Sequence, residues 1–173
     1  MDAAPSPADH DSTDWTFVVD QGCSQCGYRP HDPRETGARL EALVPRWAEV
    51  LRRPDATRRP EPGVWSPVEY ASHSRDLVRV LGERVALMTS REDPPFADYD
   101  GEAEAVRQEF WGADPTVVAD QVAARTAETV QVLGEVTDWE RTGQRGGGRR
   151  FTVTQLCRYL LHDVEHHVHD VAG

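Results

Sequence analysis

The C-terminal stretch of the chain concentrates histidine, because four of the seven histidines fall at positions 162, 166, 167 and 169. His162 and His166 are four residues apart, so on a helix they share one face, with Cβ atoms roughly 5–6 Å apart. His169 continues the same stripe three residues later. Two imidazoles on one helical face can bind one metal ion if a third ligand comes from elsewhere. The pattern therefore predicts two ligands of a metal site and a scaffold that supplies the third.

A C-x-x-C-G-aromatic turn near the N-terminus, with Cys23 and Cys26, has the shape of one half of a zinc knuckle. A structural zinc ion requires four ligands, and the chain has no second C-x-x-C. The other donors considered are His10, His31 and Cys157. A redox dithiol would call for a βαβ context that the sequence does not show. We therefore interpret the two cysteines as a reduced, at least half-buried thiol pair, with a minor metal or redox site as the alternative.

Composition and charge narrow the classes of partner. The chain has 173 residues, 38% of them hydrophobic, and a net charge of −11. These values suit one domain with a core, and they argue against nucleic acid and anionic membranes, both of which call for basic surfaces. No apolar run approaches the roughly 18 residues of a membrane span, and the N-terminal residues lack a signal-peptide pattern. Three cysteines are too few for a disulfide framework. We expect a cytoplasmic protein.

Apolar residues recur at helical spacing in four segments. Two helix starts are marked by capping boxes, Ser66 with Glu69 and Thr152 with Gln155. Four apolar stripes are buried most simply against one another. The sequence therefore predicts an all-α four-helix bundle with long crossover connections and an irregular N-terminal segment. The helices are expected over about residues 34–52, 67–90, 115–137 and 153–171.

The domain organisation follows from composition. Residues 1–14 are rich in Asp, Ser, Pro and Ala and are expected to form a disordered tail. Residues 15–33 form an N-terminal extension that carries the C-x-x-C turn, and residues 34–173 form the bundle. The glycine- and arginine-rich segment 143–150 is expected to be a mobile hairpin or loop.

Three segments of the chain resemble a known family. They are Trp65-Ser-Pro-Val-Glu-Tyr-Ala-Ser-His73, the Phe151-Thr-Val start of the last helix, and His162-x-x-x-His166-His, which is followed by Asp170. They are similar to the DinB-like superfamily (DinB/YfiT-type metalloenzymes), which is related to the N-terminal domain of mycothiol-dependent maleylpyruvate isomerases. The resemblance covers roughly residues 34–171.

The resemblance implies a bundle with one divalent metal ion bound by His73, His162 and His166. In the isomerase branch the position of His162 is a glutamate, so this chain would have an all-histidine version. Zinc is the first expectation, and nickel or iron would also accept three nitrogens. His167 is expected to pack against the apolar side of its helix. Residues expected to lie near the ligands and to orient them or move protons are Asp76, Asp163, Glu165, His169 and Tyr159.

Three neutral imidazoles would leave a coordination position for water or substrate, as in catalytic zinc sites. The resemblance implies a thiol-dependent S-transferase, in which the metal activates a low-molecular-weight thiol (mycothiol or bacillithiol type) that attacks a small-molecule electrophile. One alternative is a metal-dependent hydrolase that uses metal-bound hydroxide. The other is a non-catalytic metal-binding or dimerisation module, and a homodimer is compatible with all three.

Overall fold

The computed structural model describes residues 5–6 and 13–173, so the tail expected over residues 1–14 lies mostly outside the described residues. The described chain is predominantly helical, with a small sheet. Its α-helices are α1 (Val18–Gln21), α2 (Thr36–Leu51), α3 (Pro67–Ser90), α4 (Gly101–Arg107), α5 (Pro115–Gly134) and α6 (Val153–Asp170), and its strands are β1 (Pro95–Phe96), β2 (Thr142–Arg145) and β3 (Arg149–Thr152).

Local capping fixes where the long helices begin. Both α3 and α6 begin with the reciprocal capping box that the sequence predicts, and the Thr152 side chain accepts a hydrogen bond from Gln155 N. The carboxylate of Asp114 accepts hydrogen bonds from two backbone amides at the start of α5. These caps satisfy amides that have no partner inside the helix, so the first turns are set by residues adjacent in sequence.

Helices α2, α3, α5 and α6 form the bundle, which confirms the predicted fold class. Helix α3 packs most extensively against α5 and also against α6, while α2 packs against α5 and α6. The consecutive helices α2 and α3 are therefore diagonal partners with little direct contact. The centre of the bundle consists of fully buried large side chains, among them Trp47, Leu81, Val85, Met88, Leu156 and Leu161.

A three-stranded sheet lies beside the bundle, which the prediction of an all-helical chain did not include. Strand β1 pairs with β2 in parallel, and β2 pairs with β3 in an antiparallel hairpin. The hairpin turn contains Gly147 and Gly148, both with positive φ. Asp93 holds β2 through hydrogen bonds from Thr142 Oγ1 and Gln144 Nε2. The segment 143–150 is therefore a hairpin, one of the two forms expected for it.

The N-terminal extension lies against α6. Cys23 N donates to the carbonyl of Tyr28 at 2.9 Å, and Gly27 N donates to the carbonyl of Cys23 at 3.0 Å, which closes a tight turn around Cys26. Cys23, Tyr28 and Val18 form a small apolar cluster that Trp15 covers. No helix in the described part of the chain is both long and apolar enough to cross a membrane.

Candidate metal centres

Helix α6 carries two pairs of ligand-type residues on adjacent faces. Residues one position apart on an α-helix differ by about 100° in direction, whereas residues four apart nearly coincide. Asp163 and His167 form one such pair, and His162 and His166 form the other. The first pair meets α3 inside the bundle, and the second pair meets the N-terminal extension.

The first group, here called the bundle triad, consists of His73 from α3 with Asp163 and His167 from α6. One potential ligand atom from each residue lies within 4.8 Å of the others. The ring centroids of His73 and His167 are 5.1 Å apart, and His167 Nε2 is 3.5 Å from Asp163 Oδ1. Two nitrogens and one carboxylate oxygen therefore converge on one point.

Neighbouring side chains select the nitrogen that each imidazole of the bundle triad presents. The hydroxyl of Tyr99 lies 3.3 Å from His73 Nδ1, so Nε2 is the nitrogen that remains for a metal ion. Asp170 Oδ2 lies 3.1 Å from His167 Nδ1, so the Nδ1–H donates to this carboxylate and Nε2 faces Asp163. A carboxylate behind a ligating histidine fixes the tautomer and raises the basicity of the ring.

The His73 ring is held on several sides. Trp65 lies 5.2 Å from it, between ring centroids, and Tyr99 stacks on it at 5.7 Å. Gly101 approaches so closely that a Cβ there would lie 2.5 Å from His73 Cε1. His73 is only 8% exposed, so the position of its ring is determined by packing.

The second group, here called the N-terminal tetrad, consists of Cys23, Cys26, His162 and His166. Its potential ligand atoms also lie within 4.8 Å of one another. Cys23 Sγ is 3.7 Å from His166 Nδ1, and the two histidine rings are 5.2 Å apart between centroids. His166 Nε2 is 3.5 Å from Asp170 Oδ1. Asp170 therefore contacts one histidine of each group.

Burial favours the neutral form of three of the imidazoles, those of His73, His162 and His166, and the neutral form is the one that binds a metal. Burial, with the neighbouring His167, lowers the pKa of His73 well below its usual value. Burial, followed by the neighbouring His166, lowers the pKa of His162 to about 4. Burial lowers the pKa of His166 as well. For Cys26, burial raises the thiol pKa to about 11. Without a metal ion, this thiol is therefore protonated at neutral pH.

The three ligands implied by the family resemblance are divided between the two groups. Among the described residues, no group of potential metal ligands combines His73 with His162 or His166. The partners of His73 are Asp163, expected only to orient a ligand, and His167, expected only to pack. The physical reason is rotational, because a shift of one residue along α6 turns the side chain by more than a quarter of a turn.

The other predicted neighbours have different partners in the structure. Asp76 accepts hydrogen bonds from Arg75 Nε at 2.9 Å and Gln108 Nε2 at 2.8 Å. Glu165 forms a two-pronged ion pair with Arg39. The ring of Tyr159 packs near Phe151, with 6.0 Å between centroids. His169 is exposed, and its ring is 6.4 Å from that of His166. Of the predicted neighbours, only Asp163 belongs to a group of potential ligands.

Two sequence signals could have indicated these groups. Asp163-x-x-x-His167 has the same spacing as His162-x-x-x-His166, one position further along. The tetrad combines C-x-x-C with H-x-x-x-H, which are the two halves of a Cys2His2 zinc site. The long interval between the two halves concealed this relation, since zinc fingers place them close together in sequence. Asp170 contacts both His166 and His167, and the only indication of this in the sequence is its spacing of four and three residues from them.

The sequence was compared with models of known protein families. The family model of the DinB superfamily matches residues 54–171. The chain belongs to the DinB superfamily. The match includes His73, Asp163, His167 and the helical pair of the tetrad, and it begins after the extension that carries the two cysteines.

A solved structure with the same fold is that of YfiT from Bacillus subtilis, which is described as a probable metal-dependent hydrolase with an unusual four-helix bundle topology. The two chains superpose with a TM-score of 0.73 at 16% sequence identity, over 84% of this chain and 90% of YfiT. At this identity the similarity establishes the fold. No curated protein matches the chain at the level required for significance.

Proposed function

We propose that the chain is a divalent-metal-dependent hydrolase whose metal ion is held by the bundle triad, His73, Asp163 and His167. The observation that carries the proposal is the convergence of two imidazoles and one carboxylate within 4.8 Å, at the junction of α3 and α6. Catalytic zinc sites commonly use three protein ligands of this kind, two histidines and a carboxylate. The fold neighbour YfiT, itself described as a probable metal-dependent hydrolase, supports the same class of reaction.

The donor set fits a divalent cation such as zinc, and nickel or iron would also accept it. A cation with three protein ligands keeps a position for a small molecule and lowers the pKa of a water or thiol bound there. Neighbouring residues orient the two imidazoles. Tyr99 and Asp170 contact the two imidazoles at their Nδ1 atoms, so each Nε2 would be the nitrogen that binds the cation. Trp65 and Tyr70 supply apolar walls beside His73 and His167.

The proposal is tested by metal content and hydrolysis on the same preparations. The full-length protein is loaded with zinc, manganese or nickel and assayed against panels of carboxylic esters, amides and phosphoesters. His73→Ala and His167→Ala should each lose one metal equivalent and the metal-dependent activity. His169→Ala is the matched control because it removes an exposed imidazole from the same helix. Retention of both metal and activity in His73→Ala and His167→Ala would refute the assignment.

A second candidate is the thiol-dependent S-transferase, in which a low-molecular-weight thiol takes the place of water at the same metal. It rests on the resemblance of three segments, among them Trp65–His73, to a superfamily that is related to mycothiol-dependent isomerases. Adding mycothiol or bacillithiol to the assay separates the two reactions. Consumption of a small electrophile only in the presence of thiol supports the transferase, and hydrolysis that is indifferent to thiol supports the hydrolase. A metal-loaded protein inactive in both assays would support a non-catalytic, dimerisation-type module.

A further inference from the structure

We propose that the N-terminal tetrad, Cys23, Cys26, His162 and His166, is a second metal site, closed and structural, that binds zinc or a similar thiophilic divalent cation. The site fastens the N-terminal extension to the last helix of the bundle. It is separate from the bundle triad in ligands and in chemistry, because the triad has no sulfur donor.

The C-x-x-C turn has the backbone geometry that a metal knuckle requires. Gly27 follows Cys26 with φ of +78°, a conformation that favours glycine. Cys23 N and Gly27 N are engaged in the turn by hydrogen bonds to backbone carbonyls. Gly22 precedes the turn, also with positive φ, and a Cβ there would lie 2.5 Å from the carbonyl oxygen of Tyr28. The turn is thus held in one shape that directs both thiols toward α6.

A buried polar atom without a partner points to a missing ligand. His162 is 2% exposed, and its Nε2 is fully buried with no hydrogen-bond partner among the residues that the structure describes. Leaving such an atom unpaired costs about 1–3 kcal/mol. The aromatic rings of Trp15 and Tyr28 lie 5.4 Å and 5.2 Å from the His162 ring and shield it from water. A metal ion bound by Nε2 would satisfy this atom.

The other imidazole of the tetrad is also positioned for a metal. His166 presents Nδ1 to Cys23 Sγ, and its Nε2 lies near Asp170 Oδ1. The Nε2–H can donate to that carboxylate while Nδ1 binds the ion. Each histidine therefore has one nitrogen available to the tetrad, as a two-sulfur, two-nitrogen site requires.

The donor set indicates the metal and the role. Two thiolates and two imidazoles form the tetrahedral Cys2His2 environment that zinc occupies in structural sites. Two thiolate charges neutralise a divalent cation, so the filled site carries no net charge in a largely apolar cluster. Four protein ligands leave no position for water or substrate. A closed site therefore stabilises the attachment of the extension and does not take part in the proposed reaction.

The test uses cobalt and zinc as probes on the full-length protein, purified with a reductant that does not bind metals. Cobalt should give thiolate-to-metal charge-transfer absorption in the wild type and in His73→Ala. The same absorption should vanish in Cys26→Ser. Elemental analysis should show the loss of one zinc equivalent in Cys26→Ser and of one in His73→Ala. The cobalt absorption then shows which of the two sites each variant has lost. Cys157→Ala is the matched control, because it removes a buried thiol that lies outside the tetrad.

Folding is checked in each variant by circular dichroism, and the thiols of the wild type are titrated with an organomercurial reagent. Release of one zinc equivalent as the thiols react supports the site even if a variant fails to fold. The absence of a thiolate–cobalt band in reduced, folded wild type would overturn the proposal. So would a Cys23–Cys26 disulfide that persists under reductant. Loss of zinc from His73→Ala alone would leave the proposed function standing and refute the structural site.

Discussion

Gly101 is the position where a single methyl group should test the bundle triad most directly. A Cβ at Gly101 would lie 2.5 Å from His73 Cε1, 2.8 Å from Nδ1 and 3.5 Å from Nε2. Carbon atoms in ordinary contact are about 3.5–4.0 Å apart, so the ring would have to move by about 1 Å. The methyl group presses on the edge of the ring that carries both nitrogens, while Trp65 and Tyr99 restrict the ring on other sides.

We expect Gly101→Ala to weaken metal binding at the bundle triad by about 10- to 100-fold, the range found when the supports of metal ligands are altered. Overpacking should cost about 1–3 kcal/mol of unfolding free energy. The melting temperature of a domain of this size should therefore fall by a few degrees. The metal affinity is measured by competition with a chromophoric chelator. The protein also carries Cys23→Ser and Cys26→Ser, so that the measured affinity is that of the bundle triad.

The matched control is Gly134→Ala, because a Cβ at the end of α5 would have no atom of residues 5–6 or 13–173 within 4 Å. This variant should keep the parent affinity. Equal affinities of Gly101→Ala and Gly134→Ala would refute the reasoning. In that case α4 would have moved away and the His73 ring would have stayed in place.

Three further predictions concern stability and ligand orientation. Burial, with contributions from nearby arginines, lowers the pKa of His31 from 6.5 to about 4. The unfolded chain therefore binds this proton first, and the unfolding free energy should fall by at most about 3 kcal/mol between pH 6.5 and 4. Asp170→Asn should weaken metal binding at the bundle triad about 10-fold, because the amide is a poorer acceptor for His167 Nδ1–H. Arg59→Met should cost about 3 kcal/mol, because it leaves the buried carboxylate of Glu69 without its cation.

The controls separate these effects from general damage. The pH dependence is measured by urea unfolding of wild type and His31→Gln, and an identical slope in the two proteins would contradict the assignment to His31. His169→Ala is the control for Asp170→Asn. It should leave the metal affinity of the bundle triad unchanged, because the His169 side chain is exposed. Arg79→Met breaks an exposed pair with Glu83 and should cost no more than about 0.5 kcal/mol. A similar cost for Arg59→Met would show that the buried pair contributes little.

The starts of the long helices could be predicted because their causes are local. Ser66 and Thr152 are followed three residues later by Glu69 and Gln155, and the side chains and amides that pair are neighbours in sequence. The four apolar stripes then require a bundle. The small sheet could not be predicted in this way, because strands of two to four residues carry too little alternation to be distinguished from loops.

The potential metal ligands could be located in the sequence, but the sequence did not show which of them lie together. A spacing of four identifies residues that share a face of α6, yet it does not say which face meets which partner. The His73 side chain reaches Asp163 and His167 because α3 packs on that face of α6. The cysteines reach His162 and His166 because the extension folds back across more than 130 positions, a contact that no local pattern encodes. Long-range packing decides the grouping.

The interleaving of the two groups along α6 has a consequence for local opening of the helix. From the C-terminus backwards, the potential ligands alternate between the triad and the tetrad as His167, His166, Asp163 and His162. If both groups hold a cation, the end of the helix cannot fray past its last turn without releasing ligands from both ions in succession. Amide hydrogen exchange in this part of α6 should then slow when either ion is added and slow further when both are present. The C-terminal helix end, usually the first part of a domain to open, would become one of the last.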